Sequence, residues 1–158
     1  MYTHNFFFAD FVFVFHVKIF FTFANSIYET IFAQHIVSQL FLEGPAIGWM
    51  LGYVGLATTF SNTIVVHRYG YIIKKYHGAL VLTIIIHAFG LLWWSVATHV
   101  GHSMIASAII AITNNVIINY FQTEIALRTS KSNKGEILGY SQSMERAART
   151  GGYFITTF

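Results

Sequence analysis

The sequence predicts an all-α integral membrane protein with about five transmembrane helices, and three observations lead to this fold class. First, 55% of its 158 residues are hydrophobic and only 9% are charged, whereas soluble domains carry about 25% charged residues. Second, the chain divides into apolar stretches of roughly 20 residues, the length that a helix needs to cross the hydrocarbon core. Third, the basic residues fall in alternate connections between these stretches. Lipid is therefore the expected solvent.

Polar residues between the apolar stretches define the predicted elements. Residues 1–17 are expected to form an apolar or interfacial N-terminal segment, since His4, Asp10 and His16 interrupt their apolar run. The predicted spanning helices cover residues 18–41, 46–66, 78–98, 103–127 and 136–158. The last stretch has no polar exit, so residues 18–158 are expected to be a helical bundle truncated at its C-terminus.

Positive charges predict which side of the membrane each connection faces. The basic residues are Arg68, Lys74 and Lys75 after the second stretch and Arg128, Lys131 and Lys134 after the fourth. Cytosolic connections of membrane proteins carry an excess of Lys and Arg. We therefore expect a multi-pass protein whose loops 67–77 and 128–135 are cytosolic. Lys18 would begin the first helix on that side, and a turn at residues 43–45 would lie on the far side.

Small residues recur every four positions in two of the predicted helices. They are Gly44, Gly48 and Gly52 at the second helix and Gly135, Gly139, Ser143, Ala147 and Gly151 at the fifth. Small side chains let helix backbones approach closely in a membrane. The two stripes are therefore predicted to be packing seams, and a further interpretation is that the seams move during a transport cycle.

The first helix carries a polar sector in the middle of its apolar run. At 100° per residue the sector contains Thr22, Asn25, Tyr28, Glu29, His35 and Gln39. An ionisable group near mid-membrane costs about 3 kcal/mol, so it requires a partner or a wet cavity. Glu29 is a candidate proton carrier, and Asn25, Tyr28 and His35 are candidates for lining a substrate cavity. The alternative is that Glu29 makes a structural hydrogen bond to a neighbouring helix.

The fourth helix has an amide face and an apolar face. The first contains Ala108, Ala111, Asn115, Asn119, Gln122 and Ala126, and the second contains Ile110, Ile117, Ile118, Phe121 and Ile125. Amides both donate and accept hydrogen bonds, which suits a cavity for a polar organic solute. Asn115, Asn119 and Gln122 are therefore cavity candidates, with interhelical hydrogen bonding as the alternative. The apolar face is expected to contact lipid.

In the fifth helix Glu145 and Arg149 are four residues apart with the acid first, the favourable order for an ion pair. They are predicted to line a cavity or form a gate, or else to be a pair that extends to the membrane surface.

The sequence has no phosphate-binding glycine loop, no nucleophile motif and no zinc-protease motif. We therefore expect no enzyme activity, cofactor or metal. Nucleic acid is not an expected partner, because the basic residues form short clusters.

Two sequence stretches carry a resemblance to a known family. One is WMLGYVGLA at residues 49–57, which leads into HRYG at residues 67–70, and the other is KGEILGYSQS at residues 134–143, which continues to Gly151 and Gly152. With the basic loops, this order resembles the C-terminal half of a major facilitator superfamily transporter, helices seven to eleven. Within that family the sequence resembles most the tetracycline-resistance-like drug efflux branch. Tyr153 stands where the family motif has proline.

The resemblance implies a transporter of small organic solutes, coupled to protons, of the secondary transporter, antiporter or multidrug efflux kind. It implies that Arg68 and Gly70 belong to the family's cytosolic loop motif. Such transporters use two six-helix bundles, so a missing N-terminal half or another chain is an expected partner. The alternative is a scaffold without transport activity or a truncated, degenerate paralogue of a transporter. A membrane-bound enzyme is a third alternative.

Overall fold

The computed structural model describes residues 3–75, 77–129 and 133–157, with side chains described from residue 12 onwards except at 74, 75, 77 and 157. Its elements are α1 (Thr3–Leu40), α2 (Gly44–Phe60), a π-helix (Ser61–Val65), α3 (Val66–Lys75), α4 (His77–Ser95), α5 (Val100–Arg128) and α6 (Lys134–Thr157). Every element in this part of the chain is helical, which confirms the predicted all-α class.

Three helical runs in the described residues are long and apolar enough to cross a membrane. They are Gly44–Ile73, Gly78–Ser95 and Val100–Arg128. This is compatible with a membrane protein. The helices α1 and α6 do not belong to this group, so the predicted number of five spans stays a prediction.

Helix α1 continues through the predicted boundary between residues 17 and 18. It is one helix of 38 residues, because the sequence contains neither glycine nor proline before Gly44 and nothing else there breaks a helix. Lys18 therefore lies inside α1. Its placement at the start of a helix was wrong, whereas the separate role of residues 1–17 stays a prediction.

The turn between α1 and α2 lies at the predicted position. Phe41 adopts a left-handed conformation with φ of 52°, and the amide of Leu42 donates to the carbonyl of Ile36 at 3.3 Å. A residue in the left-handed conformation just after the last turn commonly ends a helix. Gly44 has φ of 31°, and Pro45 stands in the first turn of α2, where its missing N–H is not needed.

The predicted loop 67–77 is helical over most of its length, so its description as a loop was wrong. The π-helix joins α2 directly to α3, and Arg68 and Gly70 lie within α3. No proline follows Pro45, so the helical hydrogen bonding can continue. The run Gly44–Ile73 has 30 residues and is about 45 Å long, which exceeds the roughly 30 Å of the hydrocarbon core.

Two other connections match the prediction approximately. A short break separates α4 from α5, which begins at Val100, three residues before the predicted start at residue 103. The predicted loop 128–135 corresponds to the connection between Arg128 and Lys134. Tyr76 and residues 130–132, including Lys131, lie outside the described residues.

The chain divides into two compact units. Unit 1 comprises residues 1–32 and 121–158, and unit 2 comprises residues 33–120. In unit 1 Lys18 contacts Glu145, whereas Glu29, further along α1, contacts Tyr153, further along α6. Contacts later in α1 are thus made with residues later in α6, so the two helices run parallel. The predicted topology requires the same direction of its first and last spans.

In unit 2, α5 packs against α4 and against the π-helix. A Cβ atom on Gly90 of α4 would lie 3.1 Å from Ile110 of α5, so these two helices approach closely. Nδ1 of His87 lies 2.9 Å from the Thr113 hydroxyl. The hydroxyl of Ser61, the first residue of the π-helix, donates to the backbone carbonyl of Ile112 at 3.1 Å.

The apolar face of α5 does not face outward, so the prediction of lipid contact was wrong. Ile110, Ile117, Phe121 and Ile125 are all buried, and Ile117 and Ile125 are fully so. These large side chains are core residues because α5 contributes to both units and is covered there by other helices. A branched apolar side chain suits lipid and protein interior equally, and the sequence alone does not distinguish them.

The predicted packing stripe of α6 has few neighbours among the described residues, and its role as a packing seam stays a prediction. Gly135 and Gly139 have no atoms within 4 Å of an added Cβ, and Ser143 and Ala147 are exposed. Within the stripe, Gly151 alone is close to another helix, with the Phe23 ring 3.5 Å from its Cβ position. The opposite face of α6, with its charged residues, is the one that packs against α1.

The glycines of α2 also lack neighbouring helices in the described part of the chain. Gly44, Gly48 and Gly52 have open space around them in the described part of the chain. The nearby Trp49 is 82% exposed. This face of α2 is therefore not a seam within the described chain.

The close approach of α1 and α6 depends on Gly152. A Cβ at this position would overlap the Ser26 hydroxyl and lie 3.1 Å from the Phe23 carbonyl. We expect Gly152→Ala to lower the free energy of unfolding by about 1–3 kcal/mol, as overpacking does in protein cores. Thermal unfolding of the purified chain in detergent measures the change.

Gly139→Ala is the matched control, because it lies in the same helix and has open space around it. Alanine favours helix more than glycine, so this variant should be neutral or more stable by up to about 1 kcal/mol. Equal losses in both variants would show that Gly152 has no special packing role.

Candidate functional site

A buried lysine is the centre of the candidate site in unit 1. Lys18 is 3% exposed, and its ammonium lies 3.0 Å from a Glu145 carboxylate oxygen. It also donates to the Ser141 hydroxyl at 2.9 Å. A buried charge without partners is very costly, so these two contacts are the reason that Lys18 can lie within the helix pair.

Glu145 connects Lys18 to a second cation. Its other carboxylate oxygen accepts a hydrogen bond from Arg149 at 3.4 Å, as the sequence spacing predicted. Arg149 in turn lies 4.0 Å from Glu29 of α1. Lys18, Glu145, Arg149 and Glu29 therefore alternate in charge along the two helices, and we refer to these four residues as the charge ladder.

Glu29 lies at one end of the charge ladder and has hydrogen-bond donors on both oxygens. The amide of Asn25 donates to Oε1 at 2.8 Å, and the Tyr153 hydroxyl donates to Oε2 at 3.1 Å. The side chain of Glu29 is 36% exposed. This carboxylate is thus both held in position and accessible, whereas Glu145 is more deeply buried.

A polar cavity lies beside the charge ladder. It has a volume of about 380 Å³ and is lined by Gln122, Gln142, Glu145, Arg146 and Arg149. Gln122, Glu145 and Arg149 were predicted to line a cavity, and the structure brings these three together. The volume is in the range of small-molecule pockets, which run from about 300 Å³ upwards.

The charged face of α6 packs inward for an electrostatic reason. At 100° per residue, Ser141, Glu145, Arg149 and Gly152 lie on the side of α6 opposite to the small-residue stripe. Turning the stripe toward α1 would remove Glu145 from Lys18 and leave a buried ammonium without a counter-ion. The orientation with the ion pair inside is therefore favoured over close packing of glycines.

The two asparagines of the amide face have a different environment. In unit 2 Asn115 donates to the Thr58 carbonyl at 3.4 Å, and Asn119 donates to the Asn62 side chain at 3.4 Å. Both join α5 to the run formed by α2 and the π-helix. These contacts are of the interhelical kind that was the alternative interpretation, and their role in a cavity stays a prediction.

Tyr28 and His35 complete the set of predicted cavity residues. Tyr28 packs its ring on Phe32 with 5.6 Å between the centroids. His35 lies in unit 2, is 8% exposed, and stacks on Trp94 with 4.2 Å between the ring centroids. Neither residue lines the polar cavity beside the charge ladder.

Sequence reasoning missed Lys18, Gln142 and Arg146 as members of the site. Lys18 is on the same helical sector as Thr22 and Glu29, and the stretch between them contains neither glycine nor proline. Extending the polar sector by one helical turn toward the N-terminus would have identified it. Arg146 lines the cavity together with Glu145.

Comparison of the chain with protein-family models, with curated proteins and with solved structures gave no match. The chemistry of the site is therefore argued from its own geometry. The charge ladder offers two carboxylates and two cations in contact, and the adjoining cavity has amide and guanidinium groups among its lining residues. Such groups can form hydrogen bonds to a polar solute.

Removal of one partner from the ion pair between Lys18 and Glu145 should strongly destabilise unit 1. Breaking a buried pair leaves an uncompensated charge, so Lys18→Met and Glu145→Gln should each lower the free energy of unfolding by about 3 kcal/mol. The double variant should lose less than the sum, with a coupling of about 1–3 kcal/mol. Reversible unfolding in mixed detergent micelles measures all three.

The pair of Glu124 and Arg128 is the matched control, since it joins the same charge types at 3.1 Å but is more exposed. Its coupling should be below about 1 kcal/mol. Equal coupling energies in the two pairs would mean that burial gives the Lys18 pair no additional strength.

Proposed function

We propose that this chain is part of a secondary transporter of the major facilitator type that moves a small organic solute across a membrane in exchange for protons. The observation that carries the proposal is the charge ladder in unit 1. A buried ion pair adds little stability compared with apolar residues of the same shape. Four charges aligned between two helices of a largely apolar chain are thus better explained by activity than by folding.

Glu29 is the proposed proton carrier. Arg149 lies between Glu29 and Glu145, at 4.0 Å and 3.4 Å. When Glu29 takes up a proton, Arg149 has one anionic partner instead of two, and its contact with Glu145 strengthens. Glu145 is shared with Lys18, so a charge change at Glu29 is transmitted along α6 to the other end of the charge ladder.

The membrane topology of the proposal follows the basic residues. The segments 67–77 and 128–135 would face the cytosol, and α1 and α6 would cross the membrane in the same direction. Transporters of this type rock two helical bundles about a site near the midplane. The other bundle would come from an N-terminal half or a second chain.

A membrane scaffold is the second candidate, and the open glycine faces of α2 and α6 favour it. Gly48, Gly52 and Gly139 have no atoms within 4 Å of an added Cβ in the described chain. Faces of small residues suit contact with a helix of another chain. Assembly through these faces is also compatible with transport, so solute flux decides between the two.

Glu29→Gln should abolish proton-driven flux, because glutamine keeps the hydrogen-bonding shape but cannot exchange a proton at neutral pH. Everted membrane vesicles that contain the full-length gene product are given a pH gradient, and uptake of tetracycline, ethidium and the organic anion carboxyfluorescein is followed from about pH 5.5 to 8.5. The wild type should show a pH-dependent rate, and the variant should show a rate at least about tenfold lower and independent of pH.

Glu124→Gln is the matched control, since Glu124 is a carboxylate whose partner Arg128 is not part of the charge ladder. Its pH profile should equal that of the wild type. An unchanged profile in Glu29→Gln would remove the coupling role of Glu29. Absence of flux in every variant, with intact membrane insertion, would favour the scaffold.

A further inference from the structure

The cavity beside the charge ladder contains one positive charge that the ladder does not balance. Lys18 and Arg149 are balanced by Glu145 and Glu29 through contacts of 3.0–4.0 Å. Arg146 also lines the cavity, and it forms no ion pair with any residue that the structure describes. Counting these five side chains, the site carries one excess positive charge.

Arg146 lies near the middle of α6, which runs over Lys134–Thr157. If α6 crosses the membrane as proposed, this guanidinium is close to the midplane, where an uncompensated charge is costly. Its side chain is exposed in the described chain, so an anion from outside the described residues can reach it. The cavity that it borders has room for one, with a volume of about 380 Å³.

The remaining lining residues favour a carboxylate over a simple inorganic ion. A guanidinium presents paired N–H donors that match a planar carboxylate. Gln122 and Gln142 line the same cavity, and their side-chain amides can donate further hydrogen bonds. Glu145 already contacts Lys18 and Arg149, so its negative charge is balanced by these two cations.

We propose that this cavity binds the carboxylate group of a small organic anion, with Arg146 as the counter-ion and the amides of Gln122 and Gln142 as additional donors. This inference rests on the proposed function, because it names the class of solute that the transporter would carry. The solute would enter with its negative charge toward Arg146.

The sequence contains no cysteine, so a single introduced cysteine can report the charge of the cavity. Gln142→Cys places a thiol in the cavity, and Met144→Cys places one on the opposite side of α6, where Met144 is 43% exposed. The full chain, purified in a non-ionic detergent, is treated with an anionic and a cationic methanethiosulfonate reagent. The ratio of the two modification rates is compared between the two positions.

The anionic reagent should be favoured at Gln142→Cys by at least about threefold relative to Met144→Cys, because an excess positive charge raises the local concentration of anions. Adding Arg146→Gln to the Gln142→Cys variant should bring its ratio down to that of the control position, whereas adding Arg146→Lys should preserve it. Equal ratios at both positions in the otherwise unchanged chain would overturn the proposal, even if Arg146→Gln fails to fold.

A second measurement addresses the ligand and uses benzoate as the probe. Benzoate should slow the modification of Gln142→Cys by uncharged methyl methanethiosulfonate, and tetraethylammonium should not. Protection by tetraethylammonium alone, or by neither compound, would overturn the proposal. Protection by benzoate without solute flux in vesicles would refute the proposed function but support the anion site. Flux without any preference for the anionic reagent would refute the anion site alone.

Discussion

A lysine that is 3% exposed inside a helix needs an anion within reach, and this requirement determines most of the arrangement in unit 1. Glu145 can meet Lys18 only if the charged face of α6 turns toward α1, which leaves the small-residue stripe of α6 on the outside. The contacts of Glu29 with Arg149 and Tyr153 further along both helices show that the two run parallel. Gly152, beside Ser26, is where their approach is closest, so one electrostatic contact and one missing side chain together define the helix pair.

Unit 2 is held together by contacts of another kind. Its helices are joined by hydroxyl and amide groups, such as Ser61 on the Ile112 carbonyl and Asn115 on the Thr58 carbonyl. These bonds use neutral donors and carry no net charge, so they can be formed in an apolar environment at a much lower cost than an ion pair. The helix contacts of unit 1 therefore depend on charged groups, whereas those of unit 2 depend on neutral ones.

Much of the fold was readable from the sequence, and the errors have identifiable physical causes. The helical class, the turn at Gly44 and the pair of Glu145 with Arg149 follow from apolar length, turn chemistry and local spacing, all of which are properties of neighbouring residues. The burial of Ile117 and the outward orientation of the α6 stripe depend on which helix lies opposite, and periodicity does not contain that information. Lys18 was misplaced because a charge was taken to mark a membrane boundary, although the lack of a helix breaker near it already argued otherwise.

The π-helix at Ser61–Val65 has a consequence for comparing α2 with α3. A π turn contains more residues than an α turn, so the helical phase is offset by about one residue, or roughly 100°, at this segment. Side chains before and after it cannot be placed on a single helical wheel. Counting in steps of four residues would therefore assign Arg68 to the wrong face relative to the glycines of α2. Deletion of one residue within Ser61–Val65 would rotate α3, with its basic residues, by roughly 100° about the helix axis relative to α2.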